Sequence, residues 1–504
     1  MAAVYHYNGW GQTTLAFNTT GYAHLGGQGN TSMFSLAGGE TQRQLLVRVA
    51  GDFSKIGVQI PANTIATSAT TVNFRKNVAN GNQTISIGAG LTGFFQDASN
   101  SDTVASGDKV NLSFATPNTS GSLTCSGSEW AFAASSGTTG FLVGGMIGPS
   151  TNGLTRFNGW NSNNAQNATE ASAQATIRAA CTLRNLCVNV QTARGVVDTL
   201  TARINTASGT LTKATTASTT GFYEDTTHSD SVADGDLINY QIAFGSSASQ
   251  IILLPSVQVD FSGSNQAWIG GTATSVAAGA TSYSAPSGGN IPNATEANTL
   301  MTVKSAGTLS RLAFGVITNT VSATSTVKTR KNSANGSQSV SVTAGATGAF
   351  EDTTNSDTVA DGDTIGLQIA AGAGGTQLIL GGTSLRFVPS SGAITGDLSV
   401  TLGAATSTAA GTVEVQGALS KTLGAATTTA AGTVAVSGTS SATLSAATST
   451  AAGTVAVTGG LSKTLGASTV TADGTVTNGP TGSDRKSTRL NSSHVSESRM
   501  PSSA

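Results

Sequence analysis

The chain is short of charge and of aromatic rings. Of its 504 residues, 10% are Asp, Glu, Lys or Arg and 5% are Phe, Trp or Tyr, and the formal net charge is −1. It has no basic patch, so nucleic acid is not an implied partner. It has no apolar run long enough to cross a bilayer as a helix, so no membrane insertion is expected. The opening MAAVYHYNGWGQTT lacks the basic start and apolar core of a secretory signal, which disfavours export by the general route. Sustained apolar stripes of helical period are missing, which argues against a helical fold. Cys125, Cys181 and Cys187 have no companion Cys or His pair. Buried thiols are therefore expected, a disulfide is the alternative, and a metal site is disfavoured. Nothing implies a cofactor. What is plentiful is Gly, at 62 residues, together with Thr, Ser and Ala. That composition fits β-rich fibrous material better than a cytosolic enzyme.

One stretch organises the rest. Residues 330–369 read RKNSANGSQSVSVTAGATGAFEDTTNSDTVADGDTIGLQI. An earlier copy spans 75–112, and a more diverged copy spans 203–242. The spacing of Asp97, Asp102 and Asp108 returns as Asp225, Asp230, Asp236 and as Asp352, Asp357, Asp363. Ile85 and Ile87, like Val340 and Val342, alternate with polar residues, the pattern of a half-buried strand. Asn80-Gly81 and Asn335-Gly336 predict hairpin turns. The central copy has Asn205-Thr206-Ala207 where the others are read as Lys-Asn, and it has no Asn-Gly, so its first hairpin is left open. Each copy closes on a strand ending in Phe: Phe132, Phe261 and Phe387. Upstream stand Glu40, Glu170 and Glu296, and before them aromatic–glycine starts at Tyr22, Phe141 and Trp268. The period is roughly 126–130 residues, about one domain. The chain is expected to be all-β, with sandwich or jelly-roll domains.

Over residues 15–389 the run RKN…NG.Q.V.I.AG.TG.FEDT.NSD.VA.GD resembles the jelly rolls of the complement-globular-head and tumour-necrosis-factor-like family. Such modules occur in phage fibre and virion proteins and in collagen-like bacterial surface proteins. The resemblance implies a β-sandwich module and assembly as a homotrimer. It also implies a structural, non-enzymatic role as a phage or virus-like fibre or decoration protein in the virion, with a cell-surface glycan or protein as partner. The alternative is a bacterial extracellular surface or matrix adhesin. A third arrangement packs the three modules against one another within one chain.

The expected domains are jelly rolls at 1–133, 134–262 and 263–389, with residues 1–14 as first strand or attachment arm. A linker at 390–395 leads into four 21-residue repeats at 396–479, beginning at Gly396, Gly417, Gly438 and Gly459. Each repeat holds two alternating segments, such as 419–423 and 433–436. They stack into a β-rich stalk, solenoid-like or trimeric, or else serve as a flexible tether. Residues 480–504 are expected to be disordered. Within them DRKSTRLNSSHVSESRMPSSA, residues 484–504, resembles a translated sequencing adapter, which implies an assembled environmental contig as the source.

Candidate chemistry is sparse. The nine aspartates named above are candidate calcium ligands, but no ladder closes with the Glu of a calcium loop, and Asp/Asn/Gly clusters cap turns. His6, His24 and His228 do not recur between copies, and His228 stands where Asn100 and Asn355 stand elsewhere. Glu224 and Glu351 neighbour Asp225 and Asp352, and adjacent strand residues face opposite ways, so no catalytic residue is named. Trp10, Trp160 and Tyr283, in Gly/Asn/Ser-rich segments, are candidates for stacking on a surface ligand, or else plug a sandwich edge.

Overall fold

The alternating stretches become antiparallel sheets in a computed structural model. It describes residues 3–26, 39–144, 153–161, 166–247, 252–271, 275–287 and 292–390, and nine short strands between 394 and 478. The adapter-like residues 484–504 lie outside the described residues. The chain divides into two compact units, Met1–Ser390 and Ser391–Ala504. Among the described residues the helical turns are 3-10 segments at Glu40–Arg43, Glu170–Ser172 and Glu296–Asn298.

The first unit holds three sandwiches of one topology. In module A the eight principal strands are Val4–Ala16, Thr20–Ala23, Gly51–Ile60, Thr70–Lys76, Ala79–Ile87, Gly93–Gln96, Lys109–Ala115 and Ser122–Ala134. One sheet runs first, eighth, third, sixth, and the facing sheet runs second, seventh, fourth, fifth. Module B repeats this order from Thr138–Val143 to Ile252–Phe261, and module C from Gln266–Gly270 to Gly375–Pro389. Two antiparallel sheets connected in this order make a jelly roll. The opening residues are therefore a strand rather than an arm: Val4–Ala16 pairs along Ser122–Ala134. The period-two pattern works as written in Ala79–Ile87, where Gln83, Ile85 and Ile87 are buried and Asn82, Thr84 and Ser86 are exposed.

The hairpin turn lies three residues earlier than Asn-Gly suggests. Asn77 and Val78 carry φ of 50° and 64°, Asn205 and Thr206 carry 49° and 68°, and Asn332 and Ser333 carry 49° and 60°. Two successive positive φ values give the turn that matches strand twist. The central copy forms this hairpin too, with Ile204 in place of the lysine, so the expected irregularity was an error of alignment. Asn tolerates the left-handed region, and here its side chain also fixes the turn. Asn77 Nδ2 donates to Asp108 Oδ1 at 2.7 Å while Asn77 Oδ1 accepts from the Lys109 N–H at 3.0 Å. Asn205 and Asn332 make the same pair of bonds, to Asp236 and Leu237 and to Asp363 and Thr364.

The glycine of Asn-Gly has a different use. A Cβ on Gly81 would lie 2.4 Å from Asp102 Oδ1, and one on Gly209 would lie 2.3 Å from Asp230 Oδ2. At Gly336 the Asp357 carboxylate would be 2.9 Å away. Without a side chain there, each carboxylate reaches the backbone N–H groups beyond it: Asn82 at 2.6 Å and Gln83 at 3.1 Å in A, Thr210 at 2.6 Å and Leu211 at 3.0 Å in B.

In the second unit Thr412–Gln416, Thr433–Ser437, Thr454–Thr458 and Thr475–Asn478 pair in parallel, Thr412 opposite Thr433 and Thr433 opposite Thr454. Ala405–Ser407, Ala426–Thr428, Ala447–Ser449 and Thr469–Val470 form a second parallel sheet. Each pairing advances by one repeat, the arrangement of a β-solenoid. The expected strand at 419–423 lies outside the described residues.

Because Gly209 admits a buried carboxylate, Gly209→Ala is expected to destabilise the protein by about 2 kcal/mol. Calorimetry of the full chain checks this, and a loss below ~0.5 kcal/mol, the usual surface effect, would show that the close approach is not tight.

Candidate functional site

The candidate aspartates are spread over turns. Asp97 accepts from the N–H of Thr84, Ser99 and Asn100; Asp225 from Thr212, Thr227 and His228; Asp352 from Ser339, Thr354 and Asn355. Burial pushes the Asp225 and Asp352 carboxyls up, and these donors outweigh it, holding both at about 2. Asp108, Asp236 and Asp363 close the next turn by accepting from Ala105, Ala233 and Ala360. Their lone pairs thus serve N–H donors, and among the described residues no three His, Cys, Asp or Glu side chains converge as a metal cluster would. Glu224 and Asp225 point apart, one to the neighbouring module and one to its own turn.

Trp160 corrects an expectation. It is fully buried, with its ring 4.6 Å from that of Tyr240, because Asn161 binds the edge of the first strand of module B. The Asn161 N–H donates to Val143 O at 2.7 Å, and Asn161 Oδ1 accepts from the Val143 N–H at 3.0 Å. Trp10 sits on the first strand of module A, and its side chain lies outside the described residues. Tyr283 is half-buried beneath the Arg330 guanidinium, 5.9 Å from ring centre to Cζ. Cys125, Cys181 and Cys187 are free and buried, and burial pushes the first two thiols up to about 12.

Tyr283 belongs to a device used three times. Arg330 forks onto Glu296 at 2.8 and 3.1 Å, Arg75 onto Glu40 at 2.9 and 2.7 Å, and Arg203 onto Glu170 at 2.8 and 2.8 Å. A face of each guanidinium lies over an aromatic ring: Tyr283, Tyr22 and Phe157. Tyr22 is therefore the counterpart of Phe157 and Tyr283 on the second strand. It is not the counterpart of Phe141 and Trp268, which lie on first strands. Planar, bidentate pairing with stacking is a task for arginine that lysine cannot perform.

A second set of charges joins the modules. Arg48, Arg178 and Lys304 occupy matching positions before the third strand, and Gln96, Glu224 and Glu351 match at the end or middle of the sixth. Arg48 of A binds Glu224 of B, with Nε at 3.1 and 3.0 Å from its two oxygens. Arg178 of B binds Glu351 of C at 2.5 Å. Lys304 of C binds Gln96 of A at 2.6 Å and Glu129 of A at 2.8 Å. The 3-10 segments follow the same direction: Asn189 of B donates to Thr41 O of A at 3.0 Å, and Gln59 of A donates to Ala297 O of C at 3.2 Å. Contacts of one sense, A to B, B to C and C to A, close a heterologous ring of three inside one chain.

The first strands lie where the modules meet. Val4 joins the core of B, Tyr7 that of C, and Phe141 and Val143 of B join that of A. Tyr7 packs on Trp268 at 4.5 Å, and His6 stacks on Trp130 at 3.7 Å. His6 Nε2 accepts from the Phe141 N–H at 3.4 Å, and His24 Nδ1 accepts from the Gly26 N–H at 2.9 Å. Both rings are neutral acceptors, and burial lowers each to about 3. These contacts set the three modules face to face within the chain.

No family model matches the chain, and no curated protein matches it. Among solved structures, the protein of "The Triple Jelly Roll Fold and Turret Assembly in an Archaeal Virus" is similar at 13% identity, over 68% of this chain and 81% of that one, with a TM-score of 0.16. The catalytic unit of a thermostable GH87 α-1,3-glucanase from Streptomyces thermodiastaticus strain HF3-3 is similar at 14% identity, over 41% of this chain and 58% of that one, with a TM-score of 0.13. At these scores neither likeness bears on function, and the jelly-roll assignment stands on strand order.

His6 and His24 set an acid limit. Folded, each titrates near 3; unfolded, near 6.5. The unfolded chain therefore binds protons first, and stability present above 6.5 is lost as pH falls toward 3. At pH 5 each ring is expected to cost ~2 kcal/mol. Melting midpoints from pH 7 to about 4.5 are expected to fall for the natural chain and to fall less for the His6→Phe/His24→Asn variant; parallel curves would refute the assignment.

Proposed function

We propose that this is a non-enzymatic structural protein, a fibre or decoration protein of a phage or virus-like particle. In this reading its three-module unit acts as a single-chain counterpart of a homotrimer. The observation that carries it is the closed ring of same-sense contacts. Three jelly rolls meet face to face without a second chain, and the burial that a homotrimer would provide arises between Val4, Tyr7, Phe141 and Trp268 of one chain. The ionisable side chains support it as well. Arg48, Arg178 and Lys304 hold seams, Arg75, Arg203 and Arg330 hold connections, and the aspartates hold turns. A coiled 21-residue repeat following such a unit suits an extended particle component. The partner class this implies is a cell-surface glycan or protein.

Two measurements test the reading. Light scattering of the full chain is expected to give the mass of one chain, and a threefold mass would remove the single-chain reading. Sequencing the flanking locus is expected to find capsid, portal or tail genes. Genes for secretion and surface anchoring would overturn the particle assignment in favour of a bacterial adhesin.

A further inference from the structure

The three seams are built alike but not identically. Modules A and B are joined by residues 135–137 and modules B and C by 262–265, so those neighbours are held at high local concentration. No linker holds C against A, and that seam must supply its own selectivity. It is also the seam whose charges are most deeply buried. The Lys304 and Glu129 side chains are 1% and 5% exposed, against 32% and 14% for Arg48 and Glu224.

The chemistry of the closing seam is specific to lysine. Gln96 stands where B and C carry Glu224 and Glu351, so the usual acceptor has no charge. The carboxylate comes instead from Glu129, whose counterparts by strand pairing are Ser256 and Ser384. The Lys304 ammonium sits 3.9 Å above the Phe94 ring. Tyr7 accepts from the Lys304 N–H at 3.0 Å, and Glu129 accepts from the Thr302 N–H at 2.7 Å. Lys55 donates to Lys304 O at 2.5 Å and to Asp361 at 2.8 Å. A compact ammonium fits this site; a guanidinium is larger, planar and bidentate, and would meet the neutral Gln96.

We propose that Lys304, Glu129, Gln96 and Phe94 form a closure lock that admits only module C onto module A, so that the ring closes within its own chain. An open ring would present a free donor face on C and a free acceptor face on A. Two copies would then join head to tail through the apolar seam surface so exposed, where Tyr7 of A enters the core of C.

The test uses the full chain and compares seams. Lys304→Met leaves Glu129 buried without its cation. It is expected to lower the melting midpoint by ~5 °C or more and to yield dimers and larger species that grow with concentration in light scattering. Lys304→Met/Glu129→Leu removes both charges and is expected to regain most of the monomer. Arg48→Met, at a seam held by a linker, is expected to stay monomeric. If Lys304→Met does not fold, Glu129→Gln is measured instead and is expected to oligomerise. The proposal is overturned if the variant measured remains monomeric with an unchanged midpoint. It is equally overturned if the double variant oligomerises as the single does, or if Arg48→Met oligomerises to the same extent as the closing-seam variant.

Discussion

The structure depends on a directional contact: a cation before the third strand of one module reaching the sixth strand of the next. Such a contact is not self-complementary, so it either propagates or closes. Here it closes after three steps, because the chain contains three modules and the first strand of each lies against its neighbours. Val4 in the core of B and Tyr7 in the core of C make the opening strand of A part of all three hydrophobic interiors. Removing this strand would therefore leave apolar surface bare in every module.

Within each module polar residues set the geometry that the ring requires. The Asn at the hairpin, the Asp that bonds it and the Gly that admits a second Asp are one linked set. They fix the fourth, fifth and seventh strands against one another. The Arg–Glu fork then ties the 3-10 segment to that hairpin, which places the same segment against the neighbouring module, as the Asn189 bond to Thr41 shows. Local turn chemistry is thus coupled to packing between modules. The charges of the Arg–Glu forks and of the turn aspartates are tolerated because each has a bidentate partner or several N–H donors, without which desolvation would outweigh any gain.

The sequence made the local part legible. Alternation in Ile85 and Ile87 marked strands, the aspartate ladders marked turns, and the triple repeat marked three like sandwiches. Boundaries shifted where two explanations shared a residue: Gly81 looked like a turn glycine, yet it clears space for Asp102. Trp160 looked like a loop aromatic because Asn and Gly surround it, yet Asn161 binds its segment to a strand edge. The seams were not legible, since they join residues 173 to 208 positions apart and depend on modules facing one another. One signal was available. A basic residue recurs at 48, 178 and 304, and an acid or amide recurs at 96, 224 and 351. Recurrence at two positions that do not pair within a module points to pairing between modules.

Fusion of three modules also changes what an assembly can encode. A homotrimer must use the same side chains at every seam, because each chain is both donor and acceptor. A single chain is free of that constraint. Here two seams pair arginine with glutamate, while the third has lysine, glutamine and a carboxylate on the eighth strand. The differences compensate one another: Gln96 carries no charge, Glu129 supplies the carboxylate from two strands across the same sheet, and the cation is the smaller one that this carboxylate and the Phe94 ring accommodate. With Gln96 alone as acceptor, Lys304 would be buried without a carboxylate. The asymmetric seam falls at the one junction that no linker enforces, where a difference between modules gives the chain a means of distinguishing its own end from another module.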